Sequence, residues 1–215
     1  MDKKYKLTDE YIVHYGIKLF RIEALKDFRN VRKGDKGGFV ENENNLSHDK
    51  DCWISGDAKV FGDAKVFGDA SVYENAKIFG NASVYGYAKV YGNANIYENA
   101  EIYGTAIVHC NSFVFGYANV FDDSEVHGNA IVYGNAELSN DAEVSSNTDY
   151  IVFKNWWSSG RYFTWTRSNN MWKVGCFYGT GEELIAKAYM DSELSGREYE
   201  RVVKYVESIL NESRI

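Results

Sequence analysis

Aliphatic residues recur at every sixth position over residues 54 to 149. In most repeats the aliphatic residue is followed by an aromatic residue, Gly, Asp or Asn, Ala and a variable residue. Neither a helix, with a period of about 3.6, nor a lone strand, with a period of about 2, produces this spacing. The pattern predicts a short strand and a tight turn, repeated sixteen times. The aliphatic positions are Ile54, Val60, Val66, Val72, Ile78, Val84, Val90, Ile96, Ile102, Val108, Val114, Val120, Val126, Val132, Leu138 and Val144.

The remaining positions of the sextet predict how the strands are joined. Gly recurs where a tight turn requires positive φ, and Ala recurs where a small residue would point inward. Three sextets would close one triangular coil, so the run predicts a little over five coils. Cys52, Ser112 and Ser124 take the small position, and Cys110 replaces a turn Gly.

The sextet resembles the hexapeptide repeat of left-handed parallel β-helices, in which an aliphatic residue is followed by a small or acidic one, two variable ones, a small one and a variable one. The resemblance implies a mainly β protein with triangular coils. This chain departs from the family where the residue after the aliphatic one is aromatic. We therefore expect aromatic rings on the outside of the coil.

Every third sextet should stack on the same side, so the outward residues form three columns. The rings could stack and shield the backbone, or they could form an apolar interface with a partner. Hexapeptide proteins are often homotrimers, so the resemblance implies self-association, with a trimer favoured. The first column is Phe61, Phe79, Tyr97, Phe115 and Tyr133; the second is Phe67, Tyr85, Tyr103, Phe121 and Ser139; the third is Tyr73, Tyr91, His109, His127 and Ser145.

Polar residues in the third column have a structural and a chemical interpretation. Asn93, Asn111 and Asn129 belong to a turn series that predicts an Asn ladder between coils. His109 and His127 would lie one coil apart, close enough for acid–base work or a metal. Because no Cys, Asp or Glu lies in that column, we expect a stacked or solvated pair and no metal site.

Different sequences flank the coil, and they predict three domains: an N-terminal β-hairpin cap over 1–45, the β-helix over 46–149 and an α+β module over 150–215. Residues 11–25 alternate as a hairpin does, with the turn at His14, Tyr15 and Gly16. The Gly-rich segment 34–47 lacks the Gly-Lys-Ser/Thr ending of a phosphate loop.

After residue 149 the pattern predicts strands at 150–154, 161–167 and 171–177, followed by two helices near 181–190 and 196–211. Thr180 is a candidate cap for the first helix, and Ser195 with Glu198 reads as a capping box for the second. Trp156 and Trp157 precede Ser-Ser-Gly, which suggests an exposed turn that could anchor a partner.

The net charge of −7 is concentrated in the coil, where residues 41–149 hold 5 Lys against 17 Asp and Glu. Such a surface is unsuited to direct nucleic-acid binding, but it could attract a basic protein surface, most plausibly at Glu125, Glu137 and Glu143. The surface charge could equally serve only solubility. Three Cys without paired spacing fit a reducing cytoplasm, and no segment reads as a signal peptide or membrane span.

The segment GDKGGFVENENNLS at 34–47 and the motif Gly175-Cys176-Phe177 with Gly179-Thr180 resemble those of phage and prophage hexapeptide-repeat proteins of unassigned function. The resemblance implies a cytoplasmic location in a bacterial host and supplies no catalytic residue.

We expect a non-enzymatic, cofactor-free protein that binds a bacterial defence or nucleic-acid-handling protein. Its candidate contacts are the first column, the tryptophan pair and the three glutamates. One alternative is an acyl-CoA-dependent acyltransferase, which many left-handed β-helices are; another is a virion assembly protein.

Overall fold

A computed structural model describes residues 3–212, with side chains described up to Leu210. Inter-residue contacts divide the chain into two compact units, residues 1–149 and 150–215. The first unit is a parallel β-helix of about six turns with an N-terminal hairpin. The second unit combines a four-stranded sheet with two helices. The predicted fold class is confirmed.

The first unit begins with β1 (Tyr5–His14), β2 (Ile17–Ala24) and β3 (Lys36–Val40), followed by a 3-10 turn at Glu43–Asn45. Sixteen two-residue strands then follow, each ending on the predicted aliphatic residue. They are β4 (Trp53–Ile54), β5 (Lys59–Val60), β6 (Lys65–Val66), β7 (Ser71–Val72), β8 (Lys77–Ile78), β9 (Ser83–Val84), β10 (Lys89–Val90), β11 (Asn95–Ile96), β12 (Glu101–Ile102), β13 (Ile107–Val108), β14 (Phe113–Val114), β15 (Asn119–Val120), β16 (Glu125–Val126), β17 (Ile131–Val132), β18 (Glu137–Leu138) and β19 (Glu143–Val144).

Strands separated by three sextets pair in parallel and form three faces. Face one contains β3, β5, β8, β11, β14 and β17; face two contains β6, β9, β12, β15 and β18; face three contains β4, β7, β10, β13, β16 and β19. In this register each aliphatic residue pairs with the aliphatic residue of the next coil, as Val90 does with Val108. Backbone hydrogen bonds join the coils, as from Tyr103 N to Val120 O at 3.0 Å.

The interior of the β-helix contains only small and aliphatic side chains. The Val, Ile and Ala of the sextets are almost completely buried, as are Cys52, Ser112 and Ser124. Ser112 Oγ donates to His109 O at 2.8 Å and Ser124 Oγ donates to Phe121 O at 2.7 Å. These polar atoms therefore keep hydrogen-bond partners inside the coil.

The N-terminal hairpin extends face one, because β2 pairs antiparallel with β3 and β3 pairs parallel with β5. The parallel ladder thus begins inside the segment that the sequence assigned to the cap, before residue 46. The Gly-rich sequence is needed there: a Cβ on Gly38 would lie 2.6 Å from Ala58 O. The turn of the hairpin at Tyr15 and Gly16 lies where the sequence predicted it.

The second unit contains β20 (Tyr150–Lys154), β21 (Tyr162–Thr166), β22 (Met171–Val174) and β23 (Phe177–Gly179) in an antiparallel sheet, then α1 (Gly181–Asp191) and α2 (Glu193–Glu212). Thr180 caps α1, as predicted, and the structure adds a capping box with Glu183. The predicted capping box at Ser195 is wrong: α2 begins at Glu193, and Ser192 Oγ instead accepts from Ser195 N. Ser195 is buried inside the first turn.

Among residues 3–212, no helix is long and apolar enough to cross a membrane.

Candidate functional site

The outward aromatic residues form three stacked ladders along the β-helix. Neighbouring ring centroids are 4.7 to 5.5 Å apart, and the ring planes lie within 20° of parallel. The third-column ladder ends with the contact between His109 and His127, and the first-column ladder ends with the contact between Phe115 and Tyr133. Stacking covers most ring faces, so the ladders stabilise the coil and leave mainly ring edges for a partner.

The first column is not uniformly available to a partner. Phe61 is 5% exposed because Leu19 and Phe39 pack against it, while Tyr133 at the other end is 56% exposed. Phe79, Tyr97 and Phe115 are half-buried between them. Phe113 and Tyr117 add exposed rings beside Tyr133 on face one. The aromatic rings of this predicted surface are therefore accessible to a partner mainly at its Tyr133 end.

Carboxylates concentrate where face two turns into face three. Glu101 and Glu137 lie on face two, and Glu125 and Glu143 lie on face three. The turns between these faces add Asp122, Asp123 and Asp141. All are exposed or half-buried, and we call these seven residues the acidic edge. Residues 90–149 contain no Lys or Arg.

The histidines of the third column do have carboxylate partners. His109 Nε2 lies 2.7 Å from Glu125 Oε1, and His127 Nε2 lies 2.8 Å from Glu143 Oε1. The two histidine rings stack, as expected, and no carboxylate lies in the column itself, but two glutamates reach it from neighbouring strand positions. Each glutamate follows its histidine by sixteen residues, two fewer than a full coil. It therefore lies on the strand of the next coil, where its side chain can reach the histidine.

Cys110 extends this arrangement on the other side of the first histidine. Its Sγ atom lies 3.2 Å from His109 Nδ1, and the residue occupies the left-handed turn position with φ of 60°. Sequence reasoning identified Cys110 only as a replacement for a turn Gly. No group of three or more His, Cys, Asp or Glu side chains among the described residues is placed to hold a metal ion.

Asn side chains form the predicted ladder along one corner. Asn93 Nδ2 donates to Asn111 Oδ1 at 3.0 Å, and Asn111 Nδ2 donates to Asn129 Oδ1 at 3.3 Å. A second Asn contact, from Asn81 to Asn99, lies on the corner between faces one and two. The role of these residues is to join successive coils.

The adjacent tryptophans of the second unit have different environments. Trp156 is 77% exposed, whereas Trp157 packs with its edge toward Tyr199, the ring centroids 5.1 Å apart. Trp157 Nε1 is buried, and no described residue supplies it with a hydrogen-bond partner. Of the two tryptophans predicted to anchor a partner, only Trp156 is therefore exposed enough to do so. A separate pocket of about 240 Å³ in this unit is lined by Asn155, Arg161 and Tyr199, among others.

The first unit also holds a cleft of about 620 Å³ between face three and the loop after the hairpin. Arg29 and Lys89 supply two cations to its lining, and Trp53, Tyr73 and Tyr87 supply aromatic rings. Its lining includes no carboxylate among the described residues. Arg29 Nη1 donates to Ser71 Oγ at 3.1 Å. In charge, this cleft is the opposite of the acidic edge.

No protein-family model matches this chain, and no curated protein matches it. The site is therefore interpreted from its own geometry.

Proposed function

We propose that this protein is a non-enzymatic binding protein whose acidic edge docks on a basic surface of a bacterial protein that handles nucleic acid, such as a defence nuclease. The observation that carries the proposal is the acidic edge itself. It places four carboxylates on two adjoining faces and three in the turns between them, within a segment that contains no Lys or Arg.

Two glutamates of the acidic edge lie directly opposite each other on face three. Glu125 and Glu143 are directly paired in the ladder between β16 and β19. Like charges placed opposite each other on a sheet are destabilising. His109 and His127 each contact one of these glutamates. A basic partner surface would be attracted to both carboxylates of this pair, which supports a binding role.

The β-helix also holds these carboxylates in a fixed array. Each coil is hydrogen-bonded to the next through its backbone, as from His109 N to Val126 O at 2.9 Å. Like-facing residues thus repeat at about 4.8 Å along the axis. A pre-ordered array loses little conformational entropy on binding, and its field accelerates encounter with a basic surface.

The exposed end of face one supports a second surface, used for self-association. Phe113, Tyr117 and Tyr133 are 39%, 64% and 56% exposed there. The resemblance to hexapeptide-repeat proteins implies a homotrimer. Sedimentation equilibrium of the wild type and of a Phe113→Ser/Tyr117→Ser variant would measure the oligomeric state. A monomeric wild type would contradict self-association.

Acyl transfer remains the enzymatic alternative, and specific observations favour binding over it. The sextets run from β4 to β19 without an inserted loop, and stacked rings occupy the outward positions along all three faces. A fold shared with enzymes is weak evidence for activity.

The test is capture of bacterial proteins on three immobilised, nuclease-treated forms of the protein. The first is wild type; the second is Glu137→Gln/Asp141→Asn/Glu143→Gln; the third, a matched control, is Asp57→Asn/Asp63→Asn/Asp69→Asn in the opening coils. We expect one stoichiometric partner on wild type and control, reduced about tenfold or more on the second form.

The partner should also release bound nucleic acid when wild-type protein is added, and its binding should weaken with salt. Equal capture on all three forms, or a partner that keeps its nucleic acid, would contradict docking through the acidic edge. Recovery of this chain alone would favour self-assembly.

A further inference from the structure

We propose that Cys110 is a nucleophilic thiol that exchanges with disulfides, activated by His109 and Glu125. The three side chains form a continuous relay. Cys110 Sγ lies 3.2 Å from His109 Nδ1, and His109 Nε2 lies 2.7 Å from Glu125 Oε1. Nucleophile, base and orienting carboxylate in this order form the constellation that activates a weak nucleophile.

The carboxylate fixes which nitrogen of the imidazole acts as the base. An ionised Glu125 can only accept a hydrogen bond, so His109 must carry its hydrogen on Nε2. This tautomer leaves the Nδ1 lone pair directed at the Cys110 thiol, ready to accept its proton. Glu125 then stabilises the imidazolium that forms. Glu125 is a positioning residue, because it acts through His109.

The ladder holds the imidazole in place. His109 is stacked between Tyr91, with ring centroids 4.7 Å apart, and His127, with centroids 5.4 Å apart. Its side chain is 17% exposed, whereas Cys110 is exposed at the turn between β13 and β14. A fixed base thus lies beside an accessible sulfur. The groups that face His109 are Glu125, Cys110, Tyr91 and His127.

The other two cysteines lack this environment and supply internal comparisons. All three are free thiols. Cys52 is fully buried, and that burial raises the pKa of its thiol. Cys176 is exposed, but the second unit contains no histidine. One coil beyond Cys110, His127 has its own glutamate, but Gly128 occupies the turn position that Cys110 fills.

The proposed reaction is a thiol–disulfide exchange, which needs no reactant besides the Cys110 thiol and the disulfide. The Cys110 proton moves to His109 Nδ1 as the thiolate attacks one sulfur of a disulfide RSSR′. A new bond joins Cys110 Sγ to the RS group, the original S–S bond breaks, and R′S⁻ leaves and takes the proton from the imidazolium. The disulfide is the oxidant, and R′SH is the released product. The substrate class is thus a disulfide, either of a small thiol or of a protein.

The test compares thiol reaction rates inside one molecule. The full-length protein is reacted with dithiodipyridine at neutral pH, and peptide mass mapping follows Cys110 and Cys176 separately. We expect Cys110 to react about tenfold or more faster than Cys176, and Cys52 to stay unmodified while the protein is folded. The same comparison with glutathione disulfide and with a disulfide-linked peptide distinguishes small from protein sources.

Variants then distinguish activation of the Cys110 thiol by His109 from simple exposure of that thiol to solvent. His109→Phe keeps a ring in the ladder but removes the base, so the Cys110 rate should fall to about that of Cys176. Glu125→Gln should give an intermediate rate, partly restored by Glu125→Asp. His127→Phe, which leaves the thiol's neighbour intact, should change the rate by less than about twofold.

Circular dichroism confirms that each variant is folded. Equal rates at Cys110 and Cys176 in the wild type, or an unchanged Cys110 rate in folded His109→Phe, would overturn the proposal. Neither result depends on the acidic edge having a partner, so this inference and the proposed function fail separately.

Discussion

The two units of this protein use opposite kinds of core. The β-helix buries small, nearly identical side chains, such as Val90 and Ala94, coil after coil. The second unit buries large and dissimilar rings, including Phe163, Trp165 and Trp172, between its sheet and helices. In a solenoid each repeat contacts only its neighbours, so stability is a sum of similar local terms. In the second unit one set of rings holds every element.

The difference predicts how each unit responds to damage. Removing a large ring should leave a cavity that the whole second unit shares. A fault in one turn of the β-helix should act on that coil and its neighbours.

Trp165→Ala should destabilise the second unit by about 3–5 kcal/mol, since the ring is 1% exposed and its Nε1 donates to Asn170 Oδ1 at 2.9 Å. Hydrogen exchange would show loss of amide protection over 150–212 with little change in the β-helix. Trp156→Ala, at a ring 77% exposed, is the matched control and should change stability by no more than about 0.5 kcal/mol. Loss of protection in both units would show that they unfold as one.

Two turn glycines of the β-helix should tolerate a side chain to different degrees. Both have positive φ, at 67° for Gly104 and 71° for Gly134. An added Cβ would lie 2.6 Å from Asp122 N at Gly104 but within 4 Å of nothing at Gly134. Gly134→Ala should therefore lower the free energy of unfolding by about 1 kcal/mol, from backbone conformation alone. Gly104→Ala should lower it by about 2 kcal/mol or more.

Urea denaturation measures both glycine variants. Equal losses would mean that the coil shifts to accept the Cβ. Cys110 and Asp122 already occupy this turn position with positive φ.

The hairpin cap should weaken slightly in acid. Burial lowers the pKa of His14 below its ordinary value of 6.5, and within the part of the chain that the structure describes its Nε2 has no hydrogen-bond partner. The folded state therefore favours the neutral ring. This stability is fully present above about pH 6.5 and is lost as the pH falls through the lower folded pKa. The ring is partly exposed, so we expect an effect below about 1 kcal/mol.

The measurement is amide exchange of β1 and β2 at about pH 7.5 and about pH 5.5, corrected for intrinsic rates. His14→Phe should reduce the difference, while His48, whose pKa burial also lowers, maintains part of it. A pH dependence unchanged in His14→Phe would exclude His14 as its source.

Much of the fold could be predicted because the sextet encodes it locally. Each repeat supplies its own strand, its turn and one inward aliphatic residue, so the strands from β4 to β19 end where the sequence placed them. The helix that begins after Thr180 was equally local, because a capping box lies within four residues. The start of α2 was misplaced because Ser192 and Ser195 both offer a hydroxyl to the same first turn.

The coil, the aromatic ladders, the Asn ladder and the excess of carboxylates in the second half could all be predicted from the amino-acid sequence. Each depends on spacing along the chain, and a repeat of constant length converts spacing into position. The three-dimensional structure was needed to show that Phe61 lies beneath the hairpin, that Trp157 packs inward and that Glu125, His109 and Cys110 form one relay. These outcomes depend on side-chain directions and on contacts across coils or between distant segments. A one-dimensional pattern does not specify them.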